Sequence, residues 1–161
     1  MKLFETNPVQ YDAFLSNDGL YRYSLTRRWD ESDLLCWIML NPSTADADND
    51  DPTIRRCMSF ARAWGYGGIL VVNLFAFRAT DPKELVKATD PIGPCNNSIL
   101  ETAAKSHVTV AAWGCGGALK DRGGKVRGLL GDCELLCLGL TKDRYPKHPL
   151  YVPADTVAVP F

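Results

Sequence analysis

Long apolar runs are missing from this chain: the longest, such as residues 34–40, span about seven residues, where a membrane-crossing helix needs roughly 20. The opening Met1-Lys2-Leu3-Phe4-Glu5-Thr6 carries no apolar core of the kind a secretory signal needs, so a cytoplasmic location and no membrane partner are expected. Histidine is scarce, with only His107 and His148, and none of the six cysteines forms a C-x-x-C pair. No metal site is therefore expected. Cys36, Cys57, Cys133 and Cys137 lie within apolar patterns, where a reduced thiol acts as a small core residue. A formal net charge of −1 excludes a broad basic surface for non-specific nucleic-acid binding but leaves room for a local basic groove. Internal repeats, low-complexity segments and linkers are absent, so residues 1–161 are expected to form one domain.

What is present is ordinary for a globular chain: 46% apolar and 23% charged residues, enough to build a core and too apolar for disorder. Residues 34–40 (Leu-Leu-Cys-Trp-Ile-Met-Leu) read as a strand buried on both faces. Residues 69–75, 108–113 and 134–138 read as its companions, and 21–25 as a short strand. Asp51-Pro52 has the form of a helix cap followed by proline at the first helical position. The helix that follows puts Ile54, Cys57, Met58, Ala61 and Trp64 on one face, with Arg55, Arg56 and Arg62 off it, and Gly65-Tyr66-Gly67-Gly68 ends it. Asp81-Pro82 caps a short helix through Leu85 and Val86. Residues 94–106 form another, with Ile99, Leu100, Ala103 and Ala104 inward, and 125–130 a brief one. Alternating strands and helices predict a three-layer α/β/α fold around a mostly parallel sheet.

In such sheets ligands gather beyond the carboxyl ends of the strands, and here those ends carry the polar residues. Asn41-Pro42-Ser43-Thr44-Ala45-Asp46 follows the first central strand; Asn73, Arg78, Thr80 and Asp81 follow the second. Gly114-Cys115-Gly116-Gly117 follows the third, and Thr141, Lys142, Arg144, Lys147 and His148 the fourth. Each also has a plain structural role. Asn41 can orient a water or a ligand carbonyl through its amide, or cap the turn before Pro42. Asp46, Asp48, Asp50 and Asp51 offer oxygens to a hard cation, but lack the glycine and distal glutamate of an EF-hand. Solvation and capping are favoured for them. The backbone N–H groups around Gly114, Gly116 and Gly117 can cradle a phosphate, although the segment matches neither the dinucleotide fingerprint nor the P-loop and equally suits a tight turn. Lys142, Arg144, Lys147 and His148 can contact phosphates or belong to a solvated loop.

Several segments together resemble a known family. Met39-Leu40-Asn41-Pro42-Ser43-Thr44-Ala45-Asp46, Asp51-Pro52-Thr53-Ile54-Arg55-Arg56, Asn73-Leu74-Phe75-Ala76-Phe77-Arg78-Ala79-Thr80-Asp81-Pro82 and His148-Pro149-Leu150-Tyr151 are similar to domain-of-unknown-function family 1643, found in bacteria and phages. The same order of segments resembles, more distantly, the uracil-DNA glycosylase superfamily and above all its mismatch-specific and thymine-DNA branch. There an Asn-Pro motif closes a strand, and its Asn positions the attacking water; Asn41-Pro42 stands in that place. Val72-Asn73-Leu74 and Arg78-Ala79-Thr80 resemble the next strand and its Arg/Thr-rich turn, and Lys147-His148-Pro149 occupies the late position of a His-Pro loop whose His binds the departing base. Met39 and Ser43 replace two glycines of that motif.

That resemblance implies an N-glycosidase-like hydrolase acting on a modified or mismatched base in DNA. Asn41 and His148 would be catalytic. Pro42, Ser43, Asp46, Asn73, Arg78 and Thr80 would surround an extruded base, and Gly114, Gly116, Gly117, Lys142, Arg144 and Lys147 would hold phosphates. The chemistry needs no cofactor, and no obligate protein partner is inferred. Two further readings stay open: an enzyme or binder for a free nucleotide or nucleoside, which the near-neutral charge suits, and a catalytically silent interaction module.

Overall fold

The computed structural model describes residues 8–43 and 48–161. One seven-stranded sheet runs through it in the order β1-β2-β4-β3-β5-β6-β7. Its strands are β1 (Gln10–Leu15), β2 (Arg22–Arg28), β3 (Leu34–Met39), β4 (Gly68–Asn73), β5 (Thr109–Ala111), β6 (Leu135–Cys137) and β7 (Val159–Pro160). The four inner strands, β4, β3, β5 and β6, are parallel. The outer three are antiparallel to their neighbours.

Among the described residues four α-helices flank the sheet: α1 (Pro52–Ala63), α2 (Lys83–Lys87), α3 (Asn96–Ser106) and α4 (Arg122–Leu129). Helix α1 covers one face of the sheet, where Ile54, Cys57, Phe60 and Ala61 pack on Leu35, Trp37, Met39 and Val71. The other three cover the opposite face, where Leu85, Leu100, Ala103 and Val126 pack on Cys36, Ile38, Val72 and Ala111. Alternate residues of β3 serve opposite cores, which is why that strand reads as an unbroken apolar run. Three layers result, and no helix among the described residues is long and apolar enough to cross a membrane.

The expected start of α1 is present: Asp51 Oδ1 accepts a hydrogen bond from Ile54 N at 2.8 Å and Pro52 takes the first helical position. Gly65, at φ +83°, ends the helix with Gly65 N bonded to Arg62 O and Tyr66 N to Ala61 O. Asp81 caps α2 less directly, through Lys83 N. Leu85 of that helix is buried and Val86 exposed.

Several expectations change. The third parallel strand is three residues long, not six, because the chain turns into a 3-10 segment, Gly114–Asp121, straight after Trp113. The second ends at Asn73, two residues early, although Leu74 N and Phe75 N still bond to the carbonyls of Met39, the last residue of β3, and Leu40. Helix α4 begins at Arg122, ahead of the expected Lys125. Strands β1 and β7 carry no sequence signal: both are mostly exposed, so neither shows an apolar face. Of the cysteines, Cys36, Cys57 and Cys137 are buried, Cys133 half-buried, and Cys95 and Cys115 exposed.

Candidate active site at the carboxyl ends of the parallel strands

The crossovers from β3 to β4 and from β5 to β6 run in opposite directions from the middle of the sheet, with α1 and α4 on opposite faces. The loops beyond β3 and β5 therefore diverge and leave a crevice, the usual ligand position in an open α/β sheet. A cleft of about 320 Å³ lies there. It is lined by Asn41, Pro42 and Ser43 after β3, Asp51 and Thr53 at the start of α1, and Asn73, Ala79 and Thr80 after β4. Trp113 after β5, His148 after β6 and Arg22 at the head of β2 join them, over an apolar floor that includes Met39, Ile54 and Val71. Residues more than 100 positions apart thus share one wall system.

Asn41 is held by its own amide. Nδ2 donates to Ala79 O at 2.9 Å and to Pro42 O at 3.1 Å, while Ala79 N donates back to Pro42 O at 3.0 Å. Two carbonyls fix the nitrogen, so Oδ1 is the atom left to accept from a water or ligand. Asn73, only 3% exposed, lines the cleft with a side-chain amide that makes no hydrogen bond to a described residue. Its strand end is clamped from behind: Asn96 Nδ2 donates to the Asn73 and Leu74 carbonyls at 2.9 and 3.1 Å, and Arg122 Nε to Leu74 O at 2.9 Å.

His148 accepts from Leu150 N through Nδ1 at 3.2 Å and so caps the short 3-10 turn Pro149–Tyr151. That bond fixes the tautomer of the neutral ring, with the proton on Nε2. Burial holds the imidazole below the ordinary histidine range, against the opposing pull of the Asp51 carboxylate, so the neutral donor form prevails at neutral pH. The segment is strapped on both sides: Gly114 N donates to Pro146 O, and Arg56 reaches from α1 to Pro149 O at 3.1 Å and Val152 O at 2.6 Å.

Arg22 was not singled out by the sequence. It is 7% exposed, its Nε is buried without a partner, and its guanidinium has no hydrogen bond or ion pair with a described residue. Burial lowers its proton affinity first, and the neighbouring Arg78 and Arg27 add to this, while Asp51 opposes. Asp51 itself spends Oδ1 on the helix cap and keeps Oδ2 as an acceptor.

The remaining predicted residues lie elsewhere. Asp46 is outside the described residues. Arg78 sits beside the cleft rather than in its lining, with Nη1 on Gly19 O at 3.2 Å. Lys142 and Arg144 are exposed in the turn between β6 and His148, and Lys147 is half-buried beside Gly139; none lines the cleft. Gly116 and Gly117 are packed from the inside, since a Cβ on Gly116 would meet Leu40 and one on Gly117 the Trp113 ring. Of the acidic residues, Asp51 caps α1 and Asp48 is exposed, whereas Asp50 is neither a cap nor fully solvated but pairs with the buried Arg27 at 2.8 Å. No group of three or more metal-ligating side chains is found among the described residues.

A second, larger cleft of about 810 Å³ lies at the opposite end of the parallel strands, bordered by Leu34, Tyr66, His107, Val108, Cys133 and Leu136. Its charged residues, Asp33, Lys105, Asp132 and Glu134, are all exposed. Solvated charges on an open rim do little chemistry, whereas the smaller cleft combines buried polar groups with fixed geometry.

A family model described as "Protein of unknown function (DUF1643)" matches residues 22–150. The chain belongs to this family. The match begins at Arg22 and ends two residues beyond His148, so it spans every residue of the cleft lining. No curated protein and no solved structure matches the chain.

Proposed function

We propose that this DUF1643 protein is an N-glycosidase-like hydrolase that acts on a modified or mismatched base in DNA, on a scaffold of the uracil-DNA glycosylase kind. The convergence of Asn41, Asn73 and His148 on one cleft carries the reading. A volume of about 320 Å³ sits at the small end for ligand pockets and suits one extruded nucleotide unit. Asn41 Oδ1 accepts a hydrogen bond from the water and aims it at the anomeric carbon. Asp51 Oδ2 takes the water's proton as the carbon–oxygen bond forms. The carbon–nitrogen bond breaks with its electron pair on the base, and His148 Nε2–H donates to the base as negative charge grows. Asn73 offers a donor and an acceptor to the edge of the base. Lys142, Arg144 and Lys147, outside the cleft, would contact the strand backbone.

The net charge of −1 and the distance of these basic residues from the lining favour a second reading, hydrolysis or binding of a free nucleotide. Incubating the purified chain with duplex and single-stranded oligonucleotides carrying varied modified or mismatched bases, and with free nucleotides, tests both. Released base detected by mass spectrometry, with the matching abasic site in the strand, is the expected result. Release from free nucleotides alone moves the assignment to the second reading, and no release from any substrate rejects hydrolysis.

A further inference from the structure

Arg22 is a buried cation with no counterpart among the described residues. It begins β2, is only 7% exposed, and lines the cleft beside Asn41, Ser43, Asp51 and Asn73. Its Nε has no acceptor, and among the described residues no carboxylate stands in ion-pair contact with it. The other buried arginines are treated differently: Arg27 has Asp50 and the Thr26 carbonyl, and Arg122 has Leu74 O and Asn97 Oδ1. A buried polar group is ordinarily paired, and a buried charge even more so. Among the described residues Arg22 departs from that rule, and it does so in the lining of the cleft.

The electrostatic setting reinforces the point. Arg78 and Arg27 lie close enough to Arg22 to repel its charge, although Arg27 is itself paired with Asp50. Among the described residues Asp51 is the carboxylate that opposes them, and it directs Oδ1 to the amide of Ile54 at the start of α1. The guanidinium fork matches the geometry of two phosphoryl oxygens. The Ser43 hydroxyl and the Asn73 amide, which make no hydrogen bond to described residues, can supply further donors on the same lining.

We infer that Arg22 binds a phosphate group of the ligand, so that the cleft selects phosphate-bearing nucleotide units over bare nucleosides and free bases. This rests on reading the cleft as a nucleotide site. The phosphate can belong to a free nucleotide or to a nucleic-acid strand, since the recognised chemistry is the same.

Thermal unfolding and isothermal titration of the full chain decide it, with inorganic phosphate, deoxyuridine, deoxyuridine 5′-monophosphate and a deoxyuridine-containing 12-mer as probes at constant ionic strength. The expected result is saturable stabilisation by the two phosphate-bearing nucleotide probes, with deoxyuridine at least about tenfold weaker. Tighter binding of the monophosphate assigns a free nucleotide, and tighter binding of the 12-mer assigns a strand. Arg22→Met should remain folded, with a melting temperature equal to or above the parent, because it removes an unpaired buried charge. It should bind the nucleotide probes about 10- to 100-fold more weakly. Arg22→Lys keeps the charge without the fork and should fall between the two. Equal affinity for deoxyuridine and its monophosphate, no stabilisation by any phosphate-bearing probe, or unchanged affinity in Arg22→Lys would overturn the inference. Phosphate-dependent binding without base release would leave it standing and reject the glycosidase chemistry alone.

Discussion

Asn41 Nδ2 donates to the carbonyl of Ala79 at 2.9 Å, and Ala79 N donates back to Pro42 O at 3.0 Å. This reciprocal clasp joins the loop after β3 to the loop after β4 and aligns the two walls of the cleft. Asn41 is thus both a turn residue and a site residue. Its position directly after a buried strand suggests that truncation removes little, but the clasp gives it a structural share.

Replacing Asn41 should accordingly affect stability as well as turnover. Asn41→Ala loses two hydrogen bonds to backbone carbonyls and is expected to cost about 1–3 kcal/mol. Asn41→Asp should cost more, because a carboxylate cannot donate and would face two carbonyl oxygens. Urea unfolding of both variants checks the order. On a verified glycosidic substrate, the folded fraction of Asn41→Ala should lose on the order of 10²–10³ in rate, as for a well-placed transition-state hydrogen bond. An unchanged unfolding midpoint removes the clasp, and an unchanged rate removes the catalytic role.

Acid should weaken the fold through its histidines. Burial lowers the proton affinity of both His148 and His107 below the ordinary value of 6.5. The unfolded chain therefore binds more protons than the native one as pH drops through about 6.5. The histidine contribution is complete above that pH and declines as pH falls towards the lowered native values. Melting temperatures should be level between about pH 7 and 8 and fall between about pH 6.5 and 5, above the range where most carboxylates titrate. His148→Gln should flatten the slope; a rise on acidification contradicts the assignment.

Two glycine positions should respond in opposite directions to the same change. Gly117→Ala drives a methyl into the Trp113 ring and is expected to cost about 1–3 kcal/mol through overpacking. Gly128 lies in α4 facing open space, with nothing within 4 Å of where a methyl would stand, so Gly128→Ala should stabilise by about 0.4–1 kcal/mol. Paired denaturation curves suffice, and equal effects would mean that Trp113 yields.

The Arg27–Asp50 pair gives a fourth stability test. Arg27 is fully buried, bonded to Asp50 at 2.8 Å and stacked 4.3 Å from the Tyr11 ring centre. Asp50→Ala strands part of a buried charge and should cost about 3 kcal/mol, the lower end for breaking such a pair because Asp50 is partly solvated. Asp50→Asn retains an acceptor and should cost less. A loss below that of an ordinary surface pair, about 1 kcal/mol, would show that the other contacts of Arg27, the Thr26 carbonyl and the Tyr11 ring among them, are enough for it.

The central strands and the rim of the cleft are legible in the sequence because each is a local contrast: an apolar run such as 34–40, then Asn41-Pro42-Ser43. Asp51-Pro52 is legible because capping is decided within four residues. The residues that fix the site from a distance are not. Arg56 reads as part of a solvated helix face, yet it holds Pro149 and Val152, more than 90 positions away. Asn96 and Arg122 look like helix-end residues, and their purchase on the Asn73–Leu74 backbone exists only once α3 and α4 have packed. Arg22 opens a strand beside Tyr21 and Tyr23, and nothing in that local pattern separates a buried guanidinium from an exposed one. β1 stayed hidden because its residues are largely exposed and alternate in no regular way.

The uneven burial of the cysteines turns the protein into its own unfolding clock. Burial pushes the Cys36 thiol up to about 12 and raises Cys57 as well, so neither forms thiolate at neutral pH. Cys95 and Cys115, both exposed, should react with a maleimide within the mixing time of a manual assay, giving a mass increase of two labels. Further labels can arrive only as fast as the core opens, Cys133 first and Cys36 and Cys57 last. Counting labels against time therefore measures local and global opening of the unmodified chain, and a nucleotide bound in the cleft should slow the late labels without touching the first two.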